Sequence, residues 1–489
     1  MQIGPTDYGA FLASKRLAAP TVGTVVDQAT LHPAMKPHQR AITAWAIRKG
    51  RAACWLDTGL GKALIGLEWA RTLGERTLIL APLGVAQQFV HSEGPKWGIP
   101  VTYARSEDEA PATGIVATNY ERLANFDPAK WGAWILDEAS ILANFSGTIK
   151  RQLVQRGRHV PYRLTLTATP APNDVVELCN QADFLGVMGQ AAMLARFFTP
   201  KGVEDSANGN YRLKPHARRD FYRWLTTWAI ACKAPSDLGY PDDGYQLPPL
   251  DIRAEIVGTE WAPEGQLFLT KLKGVSHRAQ VRRETIRERL ARVAALVQAE
   301  PEEQWLLWYG LLDEAAQLER LLPGVVVLRG SDSAERKADV LLAFARGEVR
   351  WLLTHQKIAG MGMNFQNCAR TAFVGIDDSY VTYYQAIRRC WRFGQTRPVR
   401  AHLILAEPQR AVHENVLRKE AEANELTRGL VAAMRDFERA DLAGTQDVSD
   451  VYEPTKPVRL PAWLRGFTPT RAAAVNDVLL NPEREAVCA

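Results

Sequence analysis

The chain has no cysteine pair at metal-ligand or redox spacing. Its six cysteines (Cys54, Cys179, Cys232, Cys368, Cys390 and Cys488) are scattered over 489 residues, with no Cys-x-x-Cys and no histidine cluster beside them. That pattern argues against a zinc site and a disulfide framework, and fits a reducing compartment. No apolar run approaches the roughly 20 residues that span a bilayer. The first residues lack the charged head and apolar core of a secretory signal. No short repeat and no low-complexity tract is present, and charge of either sign is not in great excess. The net charge of +6 permits a polyanionic partner without requiring one. The expectation is a soluble, cytoplasmic protein of two or three domains, with no membrane and no zinc among its partners.

Set against these absences is a stretch around which the rest is organised. Apolar residues 53–56 lead into Asp57, Thr58, Gly59, Leu60, Gly61 and Lys62, and a helix-compatible run follows from Ala63 to Arg71. Strand, glycine turn, lysine and helix are the parts of a phosphate-binding loop. Glycines let backbone N–H groups wrap the phosphates, the helix N-terminus adds its positive dipole end, and Lys62 supplies a point charge. One position departs from that pattern. The residue after the lysine is normally Thr or Ser, whose hydroxyl ligates Mg²⁺, and here it is Ala63.

Short apolar runs at 76–82, 114–120, 134–140 and 163–170 read as buried parallel strands, separated by helical patterns. A second alternation starts at 303–309 and continues through 325–328, 351–354, 371–376 and 401–405. Two tandem α/β domains follow, with ligand sites along the carboxyl ends of their strands. The expected organisation is an N-terminal segment 1–30, a first lobe 31–190, an insertion and linker 191–270, a second lobe 271–440 and a tail 441–489. Residues 271–292 carry eight Lys/Arg against two Glu, and Arg282 and Arg283 there are candidates for nucleic-acid contact.

Three clusters carry further chemistry. Asp137 and Glu138 end an apolar strand downstream of the loop, the arrangement phosphoanhydride hydrolysis needs. One carboxylate holds Mg²⁺ and its neighbour polarises the attacking water. Arg389 and Arg392 stand three apart, on one face of a helix, and two guanidinium groups there suit γ-phosphate charge. Gly360 to Asn364 is a glycine turn with Lys357 beside it, open enough for a phosphodiester backbone to approach main-chain N–H groups. Gln39, upstream of the loop, is either a reader of the adenine edge or simply a polar residue at a helix start.

As an ordered set these residues resemble a superfamily-two helicase, and most of all the Swi/Snf-type DNA translocases. The set comprises Gln39, Asp57 to Lys62, Ala81-Pro-Leu83, Asp137-Glu-Ala-Ser140, Thr167-Ala-Thr-Pro-Ala-Pro-Asn173, Gly360 to Asn364, and Gln385 followed by Arg389-x-x-Arg392-x-Gly-Gln395. It covers roughly residues 31–420, and the absence of reader or targeting domains is similar to bacterial and phage members.

The resemblance implies two RecA-like domains with parallel sheets and an ATP cleft between them. It implies ATP and Mg²⁺ as cofactors and DNA, duplex favoured, as partner. Gln39 would contact adenine, Asp57 to Ala63 and Gly362 the nucleotide, Lys62 the phosphates, Asp137 the metal and Glu138 the water. Arg389 and Arg392 would act as arginine fingers, with Thr167 and Thr169 coupling the lobes. Pro82, Leu83, Thr118, Asn119, Lys357, Gly360, Met361 and Asn364 would lie along DNA. Ala63 departs from the family and leaves two other readings open. One is a nucleotide-gated DNA-binding factor with little turnover, the other an RNA-dependent helicase.

Overall fold

The computed structural model describes residues 19–143, 147–171, 174–200, 211–258, 283–356, 358, 364–374, 380–407 and 410–442. Among these residues the first sheet has seven strands, in the order β3-β4-β2-β5-β6-β1-β9. They are β1 (Arg51–Leu56), β2 (Thr77–Ala81), β3 (Val101–Tyr103), β4 (Ile115–Asn119), β5 (Ala133–Asp137), β6 (Tyr162–Thr167) and β9 (Ala229–Cys232), all paired in parallel. A small antiparallel hairpin, β7 (Phe198–Pro200) with β8 (Tyr211–Leu213), precedes β9.

The second sheet has six described strands, in the order β10-β15-β14-β11-β13-β12. These are β10 (Leu250–Val257), β11 (Trp305–Tyr309), β12 (Val326–Leu328), β13 (Trp351–His355), β14 (Arg370–Phe373) and β15 (Val399–Ala406), again all parallel. The expected fold class, two tandem RecA-like α/β domains, stands. Within the stretch 191–270 that reads as insertion and linker, β9 completes the first sheet and β10 begins the second.

Central strands such as β2 and β11 are buried along their whole length. Helices on both faces explain this, because a parallel sheet covered on two sides needs apolar residues at successive positions. In the first domain α1 (Pro37–Lys49) and α2 (Lys62–Leu73) pack on the sheet, and the Trp69 indole N–H donates to the Ala46 carbonyl at 3.2 Å. In the second, two buried clusters lie on opposite faces of the sheet, one around Trp308, Phe344 and Phe365, the other around Leu290, Val297 and Leu318. A fully buried ion pair ties α3 (Ile286–Ala299) to α4 (Leu312–Leu321), with Arg289 Nη1 at 2.9 Å from Glu314 Oε1. Glu314 Oε2 also accepts from the Gly310 and Leu311 N–H groups, capping α4.

Two helices close the second domain: α5 (Tyr380–Cys390) and the long α6 (Arg410–Leu442). The far end of α6 lies against the first domain. Asp441 there accepts from the Trp45 indole at 2.7 Å and pairs with Arg48 and Lys49. Glu438 Oε1 accepts from the Ala231 N–H of β9 at 2.6 Å. No helix among the described residues is long and apolar enough to cross a membrane.

Candidate nucleotide site

β1 ends at Leu56 and α2 starts at Lys62, so residues 57–61 form the turn between them. Gly59 and Gly61 have φ of 94° and 90°, a region closed to most side chains. Space forbids a Cβ as well. At Gly59 it would come within 2.6 Å of Phe393 Cβ, and at Gly61 within 2.2 Å of Gln39 Nε2. The Lys62 ammonium donates to the Leu56 carbonyl at 2.9 Å and the Asp57 carbonyl at 3.3 Å. The Thr58 N–H donates to Asp57 Oδ1 at 2.6 Å. Leu60 is buried, and Ala63 packs against the first core. Gln39 is buried beside the loop. Its Oε1 accepts from the Lys36 N–H at 2.9 Å and its Nε2 donates to the Leu60 carbonyl at 3.1 Å.

The acids follow at the end of β5. Glu138 has φ of 56°, the one described non-glycine residue with a positive φ, and its Oε2 is buried without a hydrogen-bond partner. Burial, and next the Glu138 charge, push the Asp137 carboxyl up to about 7 against the pull of Lys62. The Tyr120 hydroxyl donates to the Asp137 carbonyl at 2.7 Å and fixes the strand end. Two crowded carboxylates, one with an orphaned oxygen, are the donor set a hard divalent cation accepts. The residues present therefore fit Mg²⁺ even without a hydroxyl at position 63.

At the end of β6 the Thr169 N–H donates to Thr167 Oγ1 at 3.1 Å, and the Thr169 hydroxyl is buried without a partner. Gln181, which sequence reasoning missed, locks this corner. It accepts from the Trp55 indole and the Thr165 hydroxyl and donates to the Pro170 carbonyl. A cleft of about 540 Å³, open mouth included, lies against Asp57, Thr169, Lys233 and Tyr384.

The second domain brings its arginines to the same place, though not on one helix face as expected: Arg389 is in the last turn of α5, and Arg392 is in the turn beyond its end at Cys390. Burial lowers the Arg389 pKa, and the charges of Glu138 and Asp137 counter it. Burial likewise lowers Arg392 to about 10, with Arg389 as the next contributor. Lys62 is lowered by burial and raised by Glu138, Asp137 and Asp57, and it also feels Arg392. Lys62, Asp137, Glu138, Arg389 and Arg392, from three places in the chain, share one electrostatic neighbourhood. Arg388, which sequence reasoning did not single out, pairs with Asp57 across the cleft. Phe393 sits over Gly59 and packs at a tilt against Tyr245, with ring centroids 5.0 Å apart.

The expected DNA contacts are placed more unevenly. Pro82 precedes the short helix Leu83–Gln88, and Leu83 is exposed. Thr118 is fully buried, with its hydroxyl unpartnered. Asn119 is buried, accepting from the Tyr103 hydroxyl and donating to Glu121. Asn364 is half-buried with an unpartnered Oδ1, and Arg283 is exposed ahead of α3. Arg282, Lys357, Gly360, Met361 and Gly362 lie outside the described residues, as does Asn173.

Residues 288–394 match the family model of the helicase conserved C-terminal domain, a span that ends just past Arg389 and Arg392. Among solved structures the chain is similar to the Sulfolobus solfataricus SWI2/SNF2 ATPase core in complex with dsDNA. That similarity has 16% identity and a TM-score of 0.39, over 86% of this chain and 99% of that one. No curated protein sequence matches.

Proposed function

We propose that the chain is an ATP-dependent motor on duplex DNA, hydrolysing ATP between its two α/β domains. One observation carries the reading. The lysine of a phosphate loop, two carboxylates at a strand end and two arginines from the other domain act on one another electrostatically. The helicase C-terminal match over the arginine-bearing domain supports it.

Each residue then has a task. Lys62 and the N–H groups of Gly59, Gly61 and Lys62 hold the triphosphate, with the α2 dipole behind them. Gln39 spends one donor and one acceptor on backbone and keeps one of each for an adenine edge. Asp137 would hold Mg²⁺, whose chemistry when bound is to neutralise charge on the phosphate oxygens. Glu138, with one oxygen unspent, orients the attacking water and takes its proton. Arg389 and Arg392 meet the charge that develops on the transferring phosphoryl group. Thr167 and Thr169 link this chemistry to the second domain. DNA lies along Pro82, Leu83, the 357–364 segment and Arg282–Arg283; Thr118 and Asn119, which are buried, are not among its contacts. Since phosphates are what these residues would hold, sequence preference is weak.

The test is Mg²⁺-dependent ATP hydrolysis with no polymer, duplex DNA, single-stranded DNA and RNA. Stimulation by duplex DNA is expected, with turnover reduced about 10²–10⁴-fold in Glu138→Gln. Best stimulation by RNA would make the protein an RNA-dependent enzyme instead. Ala63 favours a second reading, a nucleotide-gated DNA binder. Turnover absent in the natural chain and restored in Ala63→Thr would establish that one.

A further inference from the structure

Asp57 Oδ1 is the most heavily used acceptor of the phosphate loop. It receives the Thr58 N–H, the Tyr384 hydroxyl at 3.2 Å and the Arg388 guanidinium, the last two from α5 of the other domain. The Asp57 main-chain carbonyl meanwhile holds the Lys62 ammonium. One residue thus joins the catalytic lysine to the second domain.

Arg388 is built into its position. Its side chain is 6% exposed and that of Asp57 21%. Arg388 Nε donates to the Tyr384 hydroxyl at 3.0 Å, and the guanidinium lies 4.7 Å from the Trp391 ring centroid. The Trp391 indole is itself tied to the Pro248 carbonyl at 2.7 Å. Among the described residues Arg388 Nη1 is buried with no hydrogen-bond partner, and Asp57 is the ion-pair partner Arg388 has. A buried pair of this kind adds little net stability, but removing one member leaves an uncompensated charge. Its value is in fixing geometry. Successive helix residues point about 100° apart, so pinning Arg388 sets the rotation of α5 and hence the direction of Arg389, and with it the point from which the turn carrying Arg392 leaves the helix.

We propose that Arg388 is a positioning residue whose ion pair with Asp57 clamps the phosphate loop to α5, and so sets where Arg389 and Arg392 stand against Asp137 and Glu138. Its consequence for turnover rests on the ATPase reading above. The clamp itself does not depend on that reading.

The experiment compares the unaltered chain, Arg388→Ala, Arg388→Lys, Asp57→Asn and the Arg388→Ala/Asp57→Asn double variant, with thermal melts confirming that each is folded. The first readout is the radius of gyration from small-angle scattering without nucleotide. It increases in Arg388→Ala and in Asp57→Asn, and no further in the double variant. The second is duplex-stimulated turnover. In Arg388→Ala, kcat falls about tenfold or more while KM for ATP stays within about threefold, the mark of an interaction used in the transition state. The double variant loses no more than the worse single, because the two residues act as one unit. Arg388→Lys, which keeps the charge without the planar fork, recovers part of kcat and bridges the case in which Arg388→Ala does not fold.

An unchanged radius, additive losses, or a raised KM with kcat intact would each overturn the proposal. A chain that hydrolyses no ATP under any condition overturns the ATPase reading, and the scattering then decides the clamp alone.

Discussion

Glu138 combines two costs in one residue. Its backbone occupies the left-handed region, about 1–3 kcal/mol of strain for a side chain other than glycine, and one of its buried oxygens goes unbonded. Such a combination persists where chemistry needs it, here at the residue expected to orient water. Gly59 solves the opposite problem by having no side chain. Gly59→Ala is expected to cost about 1–2 kcal/mol for its backbone alone. The clash with Phe393 Cβ adds to this, and Gly59→Ala made in a Phe393→Gly background, which removes that atom, recovers only that added share. Urea midpoints of the four chains check it, and equal midpoints for Gly59→Ala and the natural chain would refute the assignment. At this scale the sequence was informative where chemistry is local. Lys62, Asp137 and Glu138 could be found from glycine spacing and a strand that ends in acids. Arg388 could not, because its partner Asp57 is 331 positions away and an arginine beside two others reads as one more solvated charge.

Elements were legible in proportion to their burial. Strands covered on both sides, such as β2, β5 and β11, announced themselves as apolar runs. β10 did not, because it alternates Leu250, Ile252 and Ile256 with charged residues at the sheet edge, and β9 is only four residues long, two of them alanine. The anchorage of α6 was equally hidden, since helical periodicity does not name the surface a helix reaches. That anchorage has a pH signature. Burial raises the Glu438 carboxyl from its usual 4.5 to about 8, with Asp237 adding to the rise and Arg435 opposing it. A raised acid favours the folded state in its protonated form, so this contribution is complete below about 4.5 and is lost as pH climbs towards about 8. Glu438→Gln keeps an acceptor for the Ala231 N–H and removes the titration. Its Tm is expected to drop less than that of the unaltered chain between about pH 5 and about pH 8. Equal drops would show that Glu438 ionises freely in place.

For the whole molecule, binding through phosphates makes a prediction independent of catalysis. Affinity for duplex DNA should fall linearly on a log–log plot against salt, with the same slope for unrelated sequences. A salt-insensitive affinity, or one confined to a single sequence, would replace the motor with a sequence reader. The path of the chain adds a mechanical consequence. It crosses from the first sheet to the second between β9 and β10, and α6 carries it back from β15 to β9 and α1. A body joined to another at one point can swivel in every direction. Joined at two separate points, it swings about the line through them, as a door does on a pair of hinges. In the proposed motor every opening would then retrace the same arc, and every closing would return Arg389 and Arg392 to the same carboxylates.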